Sequence, residues 1–129
     1  MQIDRIDHLV LTVRNLEASC AFYQRALGMK VVSFEGQRRA LAFGNQKFNL
    51  HQVGEEFEPK AHRPTPGSAD FCLITRTPIA EVVANLHACD IEVLEGPVLR
   101  TGATGPILSV YFRDPDLNLI EVSNLLQAD

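Results

Sequence analysis

Four side chains in this sequence could bind a metal ion, and each lies in a run of residues that should form a strand. They are His8, His51, Asp70 and Glu121. Imidazole nitrogens and carboxylate oxygens are ligands that Mn, Fe, Co, Ni and Zn accept in proteins. A carboxylate such as Glu121, in the middle of an apolar strand, is costly unless it is paired, hydrogen-bonded or bound to a metal. The four residues together therefore predict a divalent-metal site.

The alternation of side chains along a strand separates the polar residues from the apolar ones. In residues 47–52, Phe48 and Leu50 point to one face while Asn49 and His51 point to the other. In the last strand, Glu121 lies on the face opposite Ile120 and Val122. We expect the apolar faces to meet a helix and the polar faces to line a ligand site.

The chain carries the same pattern twice. Residues 6–13 form an aliphatic strand that leads into a helix after Asn15, and residues 69–75 lead into another helix near Thr77. His8 and Asp70 stand at corresponding places, about half the chain apart. A repeat of this kind indicates a duplicated module. We therefore expect the site to lie where the two halves meet.

Periodicity and turn residues predict the order βαβββ in each half. The first helix is capped by Asn15 and ends at Gly28, and the second has Thr77 as its N-cap with Pro78 in the first helical position. The remaining strands are expected at 29–35, 38–43, 47–52, 91–98, 107–113 and 117–124. This predicts one α+β domain over 1–129, with module one at 1–52, a connection at 53–68 and module two at 69–129.

Two segments contain little core material. Residues 53–68 combine charged side chains with three prolines and two glycines, which predicts an irregular connection that is either a plain linker or a lid over a site. Residues 100–106 contain two glycines and a proline and are expected to form a flexible loop that could contact a ligand.

Composition excludes several classes of protein. A chain of 129 residues with 46% hydrophobic residues can build one core. A net charge of −4 with scattered basic residues provides no surface for nucleic acid. No apolar run is suited to a signal peptide or a membrane span. Three cysteines without CxxC spacing predict buried thiols and a cytoplasmic protein.

Three motifs resemble the vicinal oxygen chelate superfamily, which includes glyoxalase I, extradiol dioxygenases, fosfomycin-resistance enzymes and bleomycin-resistance proteins. They are IDHLVLTV at 6–13, FYQRALGM at 22–29 and FRDPDLNLIEV at 112–122. In the last motif, Leu117 stands where the family favours glycine. The resemblance covers nearly the whole chain. It implies two βαβββ modules that form a curved eight-stranded mixed sheet around a metal-binding cleft.

The resemblance also implies positions for the ligands, one from the first and one from the fourth strand of each module. His8 and Glu121 match two of these positions. Asn49 stands where glyoxalase I has glutamate, and Asp70 stands where histidine is usual. His51 lies one step beyond Asn49 on the same face, so the site is either rearranged, with His51 and Asp70 as ligands, or weakened.

By this resemblance the favoured function is glyoxalase-like isomerase or lyase chemistry on a small molecule with vicinal oxygens. Glu121 would act as a ligand with base character and His51 could share the proton transfer. One alternative is an extradiol dioxygenase of the biphenyl-diol type, which needs two histidines and a carboxylate on Fe(II). Another is a non-catalytic, bleomycin-resistance-like binding protein. The resemblance further implies a homodimer.

Other polar side chains could contribute to such a site, and each also has an ordinary structural explanation. Tyr111 could orient a substrate, arginines could bind a carboxylate, Cys72 could approach the site and the connection could bring a histidine to it. The arginines and this histidine are Arg38, Arg39, Arg100 and His62.

Overall fold

The computed structural model describes residues 1–126. Its elements follow the order βαβββ twice: β1 (His8–Val13), α1 (Leu16–Leu27), β2 (Lys30–Phe34), β3 (Arg38–Phe43), β4 (Gln46–Gln52), β5 (Asp70–Ile74), α2 (Ile79–Ala88), β6 (Glu95–Thr101), β7 (Pro106–Arg113) and β8 (Leu119–Leu125). The predicted α+β class and the two modules are confirmed. Residues 127–129 of the predicted second module lie outside the described residues.

The strands pair as two four-stranded mixed sheets, so the eight predicted strands are divided equally between two hydrogen-bonded sheets. The first sheet has the order β1-β4-β3-β2 and the second β5-β8-β7-β6. In each sheet the first strand of the module runs parallel to the fourth, and the other pairs are antiparallel. The two sheets therefore have the same topology.

The chain divides into two compact units, Met1–Ser68 and Ala69–Asp129. In the first unit α1 packs against β2, β3 and β4, and in the second α2 packs against β7. Each core is built from the apolar face of a sheet, with Leu11, Leu41, Phe48 and Leu50 buried in the first unit. In the second unit, the buried strand residues on the helix side are Val110, Phe112, Ile120 and Val122. No helix in the described residues is long and apolar enough to cross a membrane.

Side-chain hydrogen bonds cap the start of both helices, and some of the capping residues are distant in sequence. Asn15 caps α1 as predicted, with its Oδ1 accepting from the Ala18 N–H at 2.9 Å, and Gly28 ends the helix at φ 66°. Gln52 Oε1 on β4 also accepts from the Leu16 N–H at 2.9 Å. At the corresponding place on β8, Asn124 Oδ1 accepts from the Ile79 N–H at 2.8 Å. Each fourth strand therefore caps the helix of its own module.

The Asn124 contact explains why the predicted cap of α2 was wrong. Pro78 occupies the N-cap position, and Thr77 lies one residue earlier. The Thr77 N–H donates to Thr75 Oγ1 at 3.1 Å and its carbonyl accepts from Asn124 Nδ2 at 2.8 Å. Thr77 is therefore held in the turn before the helix, and a residue distant in sequence supplies the cap.

The sixth strand begins later and ends later than predicted. The Ile91 N–H donates to the Leu86 carbonyl at 2.9 Å, which continues the end of α2, and pairing with β7 begins only at Leu94. Arg100 and Thr101 belong to β6 and Pro106 begins β7, so the predicted loop at 100–106 shortens to residues 102–105. The Gly102 N–H donates to the Gly105 carbonyl at 2.8 Å and closes this turn.

A hydrogen-bonded turn joins β7 to β8. Asp114 Oδ1 accepts from the N–H groups of Asp116 and Asn118, both at 2.9 Å, and Asp114 Oδ2 accepts from Asn118 Nδ2 at 2.7 Å. Asn118 Oδ1 in turn accepts from the Ala69 N–H at 2.8 Å, immediately before β5. This turn sets the register of β8 and therefore the position of Glu121.

Candidate functional site

Each sheet has one face turned away from its helix, which we call the distal face. In the first unit it consists of three rows of residues across β1, β4 and β3, set by the ladder register. The first row is His8, Lys47 and Ala42, the second is Val10, Asn49 and Ala40, and the third is Thr12, His51 and Arg38. Arg38 is placed by its neighbour Arg39, the ladder partner of Leu50.

The distal face of the second unit has the same three rows across β5, β8 and β7. They are Asp70, Leu119 and Arg113; Cys72, Glu121 and Tyr111; and Ile74, Ser123 and Ser109. His8 therefore corresponds to Asp70, Asn49 to Glu121 and His51 to Ser123. This correspondence follows from the strand registers alone. The registers also place Asn49 and Glu121 at the centres of their faces.

His8 is exposed at the start of β1 and is oriented by the residue before it. Its Nδ1 lies 2.8 Å from Asp7 Oδ1. The hydrogen bond to His8 is the main reason that the pKa of Asp7 lies below its usual value. A proton on Nδ1 leaves the Nε2 lone pair of a neutral ring available as a metal ligand, an arrangement common among metal-bound histidines.

Glu121 is half-buried and is held by two buried serines. Ser109 Oγ donates to Glu121 Oε2 at 2.5 Å, and the hydroxyls of Ser109 and Ser123 lie 2.6 Å apart. Cys72 Sγ lies 3.3 Å from Ser123 Oγ. In one consistent arrangement, the Cys72 thiol donates to the Ser123 hydroxyl and the Ser123 hydroxyl donates to that of Ser109. The Ser109 hydroxyl then donates to the Glu121 carboxylate. The serines therefore fix the orientation of the carboxylate.

Tyr111 and Arg100 border Glu121 on the same face. Arg100 Nε donates to Tyr111 Oη at 3.0 Å, and Arg100 Nη2 donates to Glu95 at 3.1 Å. Burial raises the pKa of Tyr111, and the negative charge of Glu121 adds to this, while the Arg100 hydrogen bond works in the opposite direction. The phenol therefore stays protonated at neutral pH and can donate a hydrogen bond.

Asn49 and His51 present buried polar atoms without hydrogen-bond partners among the described residues. The atoms are Asn49 Oδ1 and His51 Nδ1. His51 is only 7% exposed, and burial, with the positive charge of Arg38 as a second cause, lowers the pKa of its imidazole. The ring is therefore neutral at pH 7, with one nitrogen that donates and one that accepts.

Within the units, the predicted site residues are brought together only in part. Cys72 is the ladder partner of Glu121, and Asp70 is exposed one row away. His8 and His51 lie on neighbouring strands but are four ladder positions apart, which is roughly 13 Å along the sheet. Among residues 1–126, no group of three or more His, Cys, Asp or Glu side chains is assembled for a metal. The joint ligand set therefore stays a prediction.

The other candidates take different places. Arg39 lies on the helix side of its sheet, where its Nη2 pairs with Glu17 Oε2 at 2.6 Å. His62 is exposed in the connection. The expectation of three buried thiols was wrong, since Cys20 is buried, Cys89 half-buried and Cys72 exposed. None of the three is in a disulfide within the described residues.

Sequence reasoning missed Ser109 and Ser123. Nothing in their local sequence marks them. Their signal lies in the comparison of the modules, because Ser123 occupies the place of His51 and Ser109 the place of Arg38. Both modules therefore carry polar residues at these two places in the third row. Comparing the modules would have identified this row as part of the site.

The family model that matches the chain is described as the Glyoxalase/Bleomycin resistance protein/Dioxygenase superfamily, and it matches residues 5–122. The chain is 60% identical over 123 residues to "Virulence protein STM3117" of Salmonella typhimurium, covering 95% of this chain and 85% of the relative. The crystal structure of that protein has a TM-score of 0.96 and covers 98% of this chain and all of the other.

More distant solved structures share the fold. Lactoylglutathione lyase from Agrobacterium tumefaciens is 26% identical with a TM-score of 0.72, and 96% of each chain is covered. The fosfomycin resistance protein FosX from Listeria monocytogenes, solved as a mutant complexed with Mn(II), is 17% identical with a TM-score of 0.67 over 97% of this chain and 94% of that one. Thus at least one protein of this fold binds a divalent metal. The present chain belongs to the Glyoxalase/Bleomycin resistance protein/Dioxygenase superfamily.

Proposed function

We propose that this protein is a divalent-metal-dependent enzyme of glyoxalase-like type, acting on a small molecule with vicinal oxygens. The observation that carries the proposal is the arrangement around Glu121, a half-buried carboxylate at the centre of a polar face and oriented by Ser109 and Ser123. Glu121 and His51 are the proposed proton-transfer groups. His8, Asp70 and Glu121 are the proposed metal ligands, and His51 is retained as an additional candidate ligand.

The residues fit a divalent transition metal by their chemistry. His8 is oriented by Asp7, which is the support that metal-bound histidines usually have. Glu121 is similarly oriented through Oε2. A histidine nitrogen with two carboxylates suits Mn, Fe, Co, Ni or Zn. When bound, the metal would polarise the oxygens of the substrate and stabilise the negative charge that develops there.

The side chains of this chain would then perform the proton transfer. Glu121 takes a proton from the carbon next to a carbonyl and returns it to the adjacent carbon. The Ser109 hydroxyl holds the side chain of Glu121 in one orientation while Glu121 gains and loses the proton. His51 is neutral at pH 7 because burial lowers its pKa, so it can accept the proton of a substrate hydroxyl.

Ring cleavage of the extradiol type receives less support. It requires two histidines and a carboxylate on one iron. Here the two histidines of the first unit are separated by four ladder positions. Asp70, rather than histidine, corresponds to His8 in the second unit.

A binding protein without catalysis is the second candidate, and the environment of Asn49 favours it. Asn49 corresponds to Glu121, but its ladder partners are Val10 and Ala40, which offer no polar support. A neutral amide is a weaker ligand than a carboxylate for a transition metal. If metal binding is lost for this reason, the polar faces would hold a ligand without turning it over.

Metal content measured by elemental analysis tests the proposal. The samples are protein purified without chelators and the variants His8→Ala, Glu121→Ala and His87→Ala. His87 is exposed on α2 and serves as the matched control. We expect near-stoichiometric transition metal in wild type and His87→Ala, and its loss in the other two. Protein that stays metal-free after reconstitution with each metal would reject the metal-enzyme proposal and favour the binding protein.

Solvent deuterium exchange tests the reaction itself. Wild type loaded with metal is incubated in D₂O with lactoylglutathione and a panel of α-hydroxycarbonyl compounds, and loss of the proton next to the carbonyl is followed by ¹H NMR. We expect exchange with at least one compound, and a decrease of about 100-fold or more in Glu121→Gln, as for loss of a general base. Equal exchange by wild type and Glu121→Gln would reject Glu121 as the base.

A further inference from the structure

The proposed chemistry gives His51 a role in proton transfer but gives none to the buried Asn49 Oδ1, which lies two residues away on β4. Asn49 Oδ1 and His51 Nδ1 are both buried without a partner among the described residues. Leaving such an atom unpaired is costly, so native proteins rarely keep two next to one another. Because side chains two residues apart on a strand point the same way, both atoms belong to one face. A ligand that pairs with them would remove this cost.

The surroundings of the pair define what could bind. Ala40, fully buried, is the ladder partner of Asn49, and the next small residue along β3 is Ala42 beside Lys47. Neither alanine can provide the missing hydrogen bond. On the other side, Val10 is apolar. The polar partner of Asn49 Oδ1 must therefore come from outside these rows, and it must be a donor, such as a hydroxyl.

Positive charge and aromatic rings border the same place. Arg38 lies at the end of the row of His51, and its guanidinium is 4.2 Å from the ring centroid of Phe57. Its Nη1 also donates to Glu35 Oε1 at 2.7 Å, and Glu35 is exposed, so a ligand carboxylate would share or replace this partner. Lys47 Nζ lies 4.1 Å from the ring centroid of Phe34. Cations favour an acidic ligand, and aromatic side chains favour a planar one that can stack.

Phe57 gives the connection a specific role at this place. Its ring packs edge-on against His51 with centroids 5.5 Å apart, yet the side chain remains 40% exposed. Phe57 belongs to a segment without helix or strand. It therefore covers His51 without being fixed in the core.

We propose that Asn49 and His51, covered by Phe57, bind the hydroxyl group of a small aromatic hydroxy acid whose carboxylate is attracted by Arg38 and Lys47. This deepens the proposed function and rests on it for the claim that the bound compound is a substrate. The residues proposed to bind the compound all belong to the first unit. The connection at 53–68 then acts as a cover over the ligand rather than as a plain linker.

Calorimetric titration of salicylate tests the proposal. The protein is stripped of metal beforehand, because salicylate also chelates metals and would otherwise report on them. We expect saturable binding by wild type and an increase of Kd of at least tenfold in Asn49→Leu and in His51→Phe. The matched controls are Asn45→Leu, at an exposed position in the turn before β4, and His87→Phe, and we expect them to bind like wild type.

Ligand analogues provide a second test that does not depend on the folding of any variant. Wild type is titrated with 2-hydroxybenzyl alcohol, which lacks the carboxylate, and with benzoate, which lacks the hydroxyl. We expect each to bind at least tenfold more weakly than salicylate. Equal affinity for salicylate and benzoate would overturn the role of the Asn49 and His51 pair.

The outcomes separate this inference from the proposed enzyme. Absence of saturable salicylate binding in wild type would overturn the inference, whatever the metal content. Salicylate binding that depends on Asn49 and His51 would support it even in a protein that retains no metal. Loss of metal in Asn49→Leu with unchanged salicylate binding would identify Asn49 as a metal ligand and would also overturn it.

Discussion

His8 shows how a residue next in sequence can prepare a ligand. Asp7 and His8 are both exposed, and the carboxylate holds the Nδ1 side of the ring at 2.8 Å. An exposed contact of this kind adds little to stability. Its effect is on the ring, because it fixes the tautomer that leaves Nε2 available. The contact between Asp7 and His8 is therefore better explained by a role in ligand binding than by a role in stability.

The variant Asp7→Ala tests this explanation. We expect its affinity for the metal that wild type binds to fall about tenfold, as for loss of other groups that support metal-bound histidines, with an unchanged melting temperature. The affinity is measured by competition with a chelating dye. Asp4→Ala is the matched control, since Asp4 is exposed and pairs with Arg5 rather than with a histidine. Equal affinities in both variants would show that Asp7 does not support a ligand.

At the scale of elements, the turn between β7 and β8 combines strong hydrogen bonding with local strain. Asp114 and Asn118 satisfy one another and the neighbouring backbone, and both are buried. Leu117, between them, has a φ of 71°, in the left-handed region that glycine adopts more easily. Its side chain is 63% exposed, so it contributes little packing. The departure from glycine noted in the sequence therefore has a conformational cost here.

The variant Leu117→Gly should be more stable than wild type. We expect the free energy of unfolding to rise by about 0.5–1 kcal/mol, because relief of the left-handed strain exceeds the added entropy of the unfolded glycine. Urea unfolding measures the change. Leu94→Gly is the matched control, because Leu94 is also exposed but does not have a positive φ. We expect this variant to be less stable than wild type. A loss in both variants would mean that the Leu117 side chain is stabilising.

The helix caps show which part of an element can be predicted locally. Asn15 and Gly28 were predicted correctly, because a cap beside its own helix is a local feature. Gln52 and Asn124 were not predicted, although each caps a helix from the same place in its module. These contacts span 36 and 45 residues, and only the pairing of the first strand with the fourth brings them together.

At the scale of the whole molecule, apolar side chains remain exposed on the described chain. They include Ile3 at 77%, Ile6 at 62%, Ile74 at 52% and Leu99 at 65% exposure. Larger exposed apolar areas tend to mark contact surfaces. The homodimer stays a prediction from the family resemblance, and Ile74 is a candidate residue for its contact surface.

Light scattering after size exclusion tests the homodimer. We expect a mass twice that of the chain and a melting temperature that rises with protein concentration, because association stabilises the folded state by mass action. We expect the variant Ile74→Ser to weaken the dimer. The control is Ser33→Ala, at another exposed strand position, and we expect it to leave the dimer unchanged. A chain-sized mass with a melting temperature independent of concentration would reject the dimer.

The order of elements, the α+β class, the two modules and the membership of the superfamily could all be predicted from the sequence. Alternation along the strands also predicted that Asn49 and His51 share one face and that Glu121 opposes Ile120 and Val122. Three further facts came from the three-dimensional structure: Asn49 corresponds to Glu121, Ser109 and Ser123 hold the carboxylate, and Phe57 covers His51. They could not be predicted because periodicity gives only the direction of a side chain, whereas its partners depend on the register of strands that are distant in sequence.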